Sequence, residues 1–221
     1  MTNILDSYDQ SIMLFLNYDG GVWLDNFWYA YSGKFIWIGM YLLILFQVFH
    51  LKRPIKENYR SLIWFVICTA LIIVLSDQIS SGIIKHLVER PRPSHNPAIE
   101  DMLHYVNDYK GGRFGFVSSH AANSIGLVVW LCYIFKAPVF RCTIFIWSIL
   151  TCYSRIYLGV HYLGDILGGL CVGVLSAVFI HYLYKRFIPI DDQIPVQNKE
   201  PWPITYAILA TVLFIAIYSC F

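Results

Sequence analysis

Residues 62–93 read LIWFVICTALIIVLSDQISSGIIKHLVERPRP, and this stretch decides the class of fold. From Leu62 to Ile84 the only charged residue is Asp77, and the run is long enough for a helix to cross a hydrocarbon layer of about 30 Å. At Lys85 the character changes to charged residues among prolines, so the helix ends and a polar loop begins.

The same template fits 33–50, 118–135, 142–160, 162–184 and 203–220, with Gly33, Lys34 and Gly39 making the start of the first span the weakest. The predicted fold is all-α: a polytopic membrane helical bundle of about six transmembrane helices, forming a single domain over residues 1–221. Composition agrees, since 57% of residues are hydrophobic and 14% charged, with mean hydropathy +0.56. A soluble domain has no use for that much apolar surface.

The start, MTNILDSYDQSIMLFLNYDGG, lacks a basic region and carries Asp6, Asp9 and Asp19. It reads as an amphipathic helix lying in the membrane interface rather than a cleavable signal. Six cysteines (68, 132, 142, 152, 171 and 220) form no C-x-x-C pair and sit in or beside apolar runs, which predicts small core residues. A net charge of +2, with basic residues in short clusters, argues against a nucleic-acid partner. No protein partner is implied.

Connections 50–61, 136–141 and 185–201 hold nine of the sixteen Lys and Arg: Lys52, Arg53, Lys56, Arg60, Lys136, Arg141, Lys185, Arg186 and Lys199. The other face holds seven, of which Lys85, Arg92 and Arg155 belong to polar constellations described next. Nine against four then predicts that those constellations face away from the cytoplasm.

Three constellations fall on that face. Lys85 and Arg92, seven residues apart around a helix end, place two cations where they converge on one anion. Ser118, Ser119 and His120 open an apolar span, and the free N–H groups and positive dipole end of a helix start favour a phosphate. Ser154-Arg155 is followed by His161 and Asp165; if a helix begins there, the histidine and carboxylate share one face, and a carboxylate on one ring nitrogen leaves the other nucleophilic. Any one of these has an ordinary explanation, because cations at span ends snorkel and membrane histidines are mostly packed. Three together on one face point to a functional site.

These residues resemble the signature of the type-2 phosphatidic acid phosphatase (PAP2) superfamily: K-x6-R-P, P-S-G-H and S-R-x5-H-x3-D. Lys85 with Arg92-Pro93, and Ser154-Arg155 with His161 and Asp165, match in every specified position. The middle motif reads Val117-Ser118-Ser119-His120 and departs at its first and third positions. The resemblance spans residues 60–185. It implies that His161 attacks phosphorus, Asp165 orients it, and His120 protonates the leaving oxygen and later activates water. Lys85, Arg92, Ser118, the Ser119 backbone and Arg155 would hold the phosphate oxygens. A phosphohistidine intermediate, no cofactor and no metal follow, the one acidic residue in the motifs being already assigned to His161. A neutral His161 with a protonated His120 predicts a bell-shaped pH profile.

The partner implied is a phosphorylated lipid among membrane lipids: undecaprenyl pyrophosphate, phosphatidylglycerol phosphate, phosphatidic acid or a lipid A phosphate. The place implied is a bacterial inner membrane, with the site on the periplasmic or extracellular face. The loop 94–116, with His95, His104, Lys110 and Arg113, is read as a lid or head-group selector. Two other functions keep the same pocket: a lipid phosphotransferase, and a lipid-phosphate binder or transporter without turnover. Vanadate-dependent haloperoxidation shares such a pocket, but a lipid-facing opening speaks against it.

Overall fold

The computed structural model describes residues 4–50 and 55–221, with side chains omitted for 55–58. Lys52 and Arg53, counted above among the cytoplasmic charges, lie outside the described residues, as does the Lys56 side chain. Helix α1 spans Ile4–Leu16, α2 Gly21–Tyr31 and α3 Ile38–Phe49. Helix α4, Ile55–Asp77, continues through a π-helical stretch at Gln78–Ile84 into the short α5, Lys85–Val88. The last four are α6 Ser119–Ile134, α7 Pro138–Tyr157, α8 Leu163–Phe187 and α9 Trp202–Tyr218. Among the described residues no β-strand forms, only isolated bridges at Pro91–Phe114 and Phe135–Gln197.

All six apolar segments are helical, but they are not six equivalent spans. Tyr59–Val88, α7 and α8 are long and apolar enough to cross a membrane. The expected first span is instead the upper part of a bent pair, Gly21–Tyr31 and Phe35–Phe49, with 69° between its arms. Helices α6 and α9 are apolar but shorter, at 16 and 17 residues, about 24–26 Å at the usual rise.

Helix α6 sits in the middle of the bundle, with Ala121, Ala122, Ile125, Val128, Trp130 and Leu131 all buried. A helix apolar on every side belongs inside, not against lipid. Its closest neighbour is α8, which reaches it through two glycines: a Cβ at Gly169 or Gly173 would overlap the carbonyl oxygens of Ser118 and Ala122. Small residues spaced by four let two helices approach to backbone contact.

The outer helices turn apolar side chains outward. In the crossing window of Tyr59–Val88 only 22% of residues are buried, and Leu71, Val74, Phe145, Ile149, Leu175, Phe179, Leu209 and Leu213 are exposed. That surface suits hydrocarbon, not water. The expectation that all six cysteines are core residues is corrected here. Cys68 and Cys152 are buried and Cys132 partly so, while Cys142, Cys171 and Cys220 face outward from the helices. A thiol is apolar enough to face lipid.

Because consecutive helices run antiparallel, the end of α5, the start of α6, the end of α7 and the start of α8 meet at one end of the bundle. That end carries the three motifs. The opposite end carries Lys136, Arg141, Lys185 and Arg186, as the charge distribution predicts.

Candidate active site

His161 lies in the turn between α7 and α8, where Gly159 takes φ +74°, a conformation glycine adopts at no steric cost. Helix α8 starts two residues after His161, with Tyr162 as its N-cap and Asp165 at the third helical position in a capping box. Asp165 Oδ2 accepts the Tyr162 backbone N–H at 3.1 Å and faces His161 Nδ1 at 3.3 Å. His161 and Asp165 are 1% and 0% exposed, so their pairing is not diluted by water. The histidine–carboxylate pair read from the four-residue spacing is therefore formed, although His161 precedes the helix rather than belonging to it.

Arg92 Nη1 reaches the other ring nitrogen, Nε2, at 3.2 Å. It is fixed there by its own bonds to carbonyls: Nη1 to Val160 at 3.1 Å and Nε to Phe114 at 3.1 Å. Arg155 is 3% exposed; its Nη2 donates to the Tyr109 hydroxyl at 3.1 Å, and its Nε has no hydrogen-bond partner among the described residues. Lys85 Nζ donates to Ser81 Oγ at 3.4 Å. Among the described residues, none of these three cations is within ion-pair distance of a carboxylate. Clustered, half-buried or buried positive charge without counter-charge is costly unless an anion completes it.

The electrostatics of His161 report this crowding. Burial, then Arg92, Arg155 and Lys85, push its pKa well below the usual 6.5, which favours the neutral imidazole. Burial and then Arg155 likewise push the Arg92 pKa down, as expected of like charges packed together.

Ser118 caps α6, its Oγ accepting from the Ala121 N–H at 3.5 Å, while its own N–H donates to the Asp165 carbonyl at 2.9 Å. Ser119 and His120 follow at the helix start, where N–H groups have no intrahelical acceptor. Val117, which replaces the proline of the motif, is buried against Gly168. Ser119, which replaces the glycine, is the first residue of α6, a position a serine fits without strain. His120 and Ser119 also line a cavity of about 550 Å³ with Lys34 and Asp77, whose further walls are mostly apolar, among them Trp37, Phe65 and Leu127. His120 lies in the electrostatic field of Arg155, His161, Lys34 and Arg92. All eight residues singled out from sequence thus gather at one end of the bundle.

The loop 94–116 is packed down rather than free, with Ile99, Leu103 and Val106 buried and Asn96 bonded to the Tyr162 hydroxyl at 2.8 Å. His104 contributes a strut: its Nε2 pairs with Asp25 Oδ1 at 2.9 Å, and Asp25 also accepts from the Tyr157 hydroxyl at 2.6 Å. His95 meets its neighbour Ser94 at 3.2 Å. Lys110 and Arg113 lie over the rings of Tyr105 and Phe114.

Three participants escape the sequence reading. Tyr109 comes from the loop to Arg155, Arg90 reaches Asp165, and the α1 carboxylates Asp6 and Asp9 pair with Arg90. Tyr109 leaves no pattern in sequence. Arg90 does, since the prolines around R-P-R force an extended backbone that sends alternate residues to the same side.

Comparison with known proteins fits this geometry. The chain is 34% identical over 230 residues to a lipid A 4'-phosphatase of Bacteroides thetaiotaomicron, an alignment taking in 99% of this chain and 98% of that one. It is 37% identical over 182 residues to a lipid A 4'-phosphatase of Porphyromonas gingivalis, with 80% and 74% of the two chains covered. The crystal structure of a transmembrane PAP2-type phosphatidylglycerolphosphate phosphatase from Bacillus subtilis superposes with TM-score 0.62 at 19% identity, over 86% of this chain and 90% of that one. Residues 61–189, which hold all three motifs, match the family model of the PAP2 superfamily, and the chain belongs to that superfamily as a membrane lipid phosphatase.

Proposed function

We propose that this protein removes a phosphate from lipid A at the outer face of a bacterial inner membrane, through a phosphohistidine on His161 and without a metal. The observation that carries the chemistry is the His161–Asp165 pair set among Lys85, Arg92 and Arg155, three cations with no carboxylate partner among the described residues. The similarity to two lipid A 4'-phosphatases, in one case over nearly the whole of both chains, favours lipid A over the other lipids considered. The sequence count of nine Lys and Arg on the opposite connections against four outside the site constellations supports the outward orientation, and the bent pair with α6 and α9 supports a span count near six.

Asp165 holds the Nδ1 proton, so the lone pair of Nε2 attacks phosphorus. As the N–P bond forms, the bond from phosphorus to the sugar oxygen breaks, and His120 gives that oxygen its proton. The lipid leaves as an alcohol. His120, now neutral, takes a proton from water, whose oxygen attacks the phosphohistidine and releases inorganic phosphate and free His161. Lys85, Arg92, Arg155, Ser118 and the first N–H groups of α6 hold the three non-bridging oxygens as charge builds. Each cation at about 4 Å contributes on the order of 4 kcal/mol at an effective dielectric near 20, before desolvation. Charge of that size at the phosphate is what a metal would otherwise supply. Arg92 must turn from Nε2 to a phosphate oxygen when substrate binds, since its Nη1 sits on the attacking nitrogen.

The test is phosphate release by detergent-solubilised protein from lipid A, phosphatidylglycerol phosphate, phosphatidic acid and undecaprenyl pyrophosphate, beside His161→Ala and His120→Ala. Lipid A should yield phosphate fastest, in excess chelator as well as without it, and His161→Ala should be inert. Release by His161→Ala at the wild-type rate sinks the nucleophile assignment. A faster rate on another lipid moves the substrate.

A further inference from the structure

We infer that Arg90, clamped by two carboxylates of α1, is a positioning residue for the His161–Asp165 pair, so that the N-terminal helix is a working part of the active site; the inference rests on the phosphatase reading above. Arg90 occupies no specified position of the motif, standing between Lys85 and Arg92-Pro93. Helix α1 lies outside the residues that match the family.

The geometry is that of a two-sided clamp. Arg90 Nη1 donates to Asp165 Oδ1 at 3.0 Å. Its Nη2 pairs with Asp6 Oδ1 at 3.1 Å and Asp9 Oδ2 at 2.9 Å, and the guanidinium lies 4.2 Å from the centre of the Tyr162 ring. Asp165 therefore has its two oxygens assigned separately, Oδ1 to Arg90 and Oδ2 to Tyr162 N–H and His161. A carboxylate rotates easily about its last bond, and rotation here would take Oδ2 away from the nucleophile. Arg90 blocks it.

Neutralising one buried carboxylate needs one cation. Arg90 carries two more carboxylates, and both come from α1, which points to a role in holding the guanidinium's direction. Asp9 makes a second grip: its Oδ1 accepts the Gly164 N–H at 2.9 Å, on the backbone between His161 and Asp165. Side-chain exposure is 47% at Asp6 and 12% at Asp9, the two outer partners, 19% at Arg90 and 0% at Asp165.

The test compares Arg90→Gln, Arg90→Lys and the double variant Asp6→Asn/Asp9→Asn with wild type on the lipid that wild type cleaves, normalised to sites that bind inorganic phosphate. Outer partners that orient metal-bound histidines are worth about 10–100-fold, and Arg90→Gln should lose a similar factor in kcat. KM and the inhibition constant for inorganic phosphate should stay within about twofold, the pattern of an interaction made only in the transition state. Arg90→Lys should recover part of the loss, and the double variant should show a smaller loss of the same kind. A purely structural role lowers yield and melting temperature but leaves kcat per phosphate-binding site intact. That result for Arg90→Gln overturns the inference while wild-type turnover leaves the phosphatase reading standing. If Arg90→Gln does not fold, the double variant decides by the same criterion. Wild type inert on every lipid overturns both.

Discussion

Gly115 offers the sharpest test of the packing behind the nucleophile. It follows Phe114 on the strand-like segment that bridges back to Pro91, and its N–H is held by the Arg90 carbonyl at 2.9 Å, so its backbone has no freedom to retreat. A Cβ at this position would lie 2.7 Å from Asp165 Oδ2 and 3.2 Å from Arg92 Cγ. Ordinary contact begins at 3.4 Å, a shortfall of 0.7 Å (3.4 less 2.7) at the carboxylate oxygen that faces His161. The side chain cannot yield cheaply, being held through Arg90 and the Tyr162 N–H. If Asp165 takes up the whole shift, the contact to His161 Nδ1 opens from 3.3 Å to about 4 Å, beyond hydrogen-bond range.

Gly115→Ala should therefore keep the fold and lose the chemistry. A misplacement approaching 1 Å costs about 100-fold in rate, and overpacking by one methyl about 1–3 kcal/mol in stability. The assay is phosphate release with purified lipid alongside thermal melting in detergent. Gly112→Ala serves as the control, since a Cβ there meets nothing within 4 Å, and both its rate and its melting temperature should stay at wild-type values. A Gly115→Ala enzyme with kcat within twofold of wild type would refute the tight seating of Asp165 on which the nucleophile's orientation depends.

Asp165→Asn keeps the shape but reverses the hydrogen bond to Nδ1, and kcat should fall about 10⁴-fold, as when the aspartate behind a serine-protease histidine becomes asparagine and the wrong tautomer is held. The pH profile follows from His161: its pKa is pushed down, so the neutral form persists below pH 6.5, and activity is lost only as pH falls through the depressed value. The acid limb of kcat/KM should lie below 6.5 and move to higher pH in Arg92→Gln, because one of the cations holding the pKa down is gone; a limb that stays put rules out that coupling. Gly173→Val drives a side chain into the Ala122 carbonyl of α6 and should lower stability by at least about 1–3 kcal/mol, read as a fall in melting temperature without a matching change in KM for the surviving enzyme.

The helices were legible because apolar runs of membrane length have few other uses, and all six expected segments fall on helices. The first segment is helical over Phe35–Phe49, but the arm that precedes it, Gly21–Tyr31, is hidden for a physical reason. That arm, GVWLDNFWYAY, contains Asp25 and Asn26, which read as loop residues. Asp25 is satisfied instead by His104 and Tyr157, partners about eighty and more than a hundred residues away. No local pattern announces a polar residue whose partners are that distant. Tyr109 is hidden in the same way, since only the folded loop brings it to Arg155.

Arg90 and Arg92 show where the sequence holds more than motif spacing extracts. Pro91 and Pro93 keep Arg90 and Arg92 out of helical backbone, and Arg92 is found at φ −64°, ψ 160°. The segment is pinned in that shape by two backbone bonds to the loop, Arg92 N–H to the Arg113 carbonyl at 3.0 Å and Gly115 N–H to the Arg90 carbonyl at 2.9 Å. In extended chain, residues i and i+2 project to one side, so both guanidiniums are laid along the same histidine–carboxylate pair. Arg92 meets the ring nitrogen proposed to attack, at 3.2 Å, and Arg90 the outer oxygen of the carboxylate, at 3.0 Å. Of the two arginines the motif names only Arg92, the cation proposed to hold phosphate. Its neighbour two residues earlier, on the same side of the extended segment, bonds Asp165 and the α1 carboxylates instead, and the alternation that lays both along the pair is readable from R-P-R-P alone.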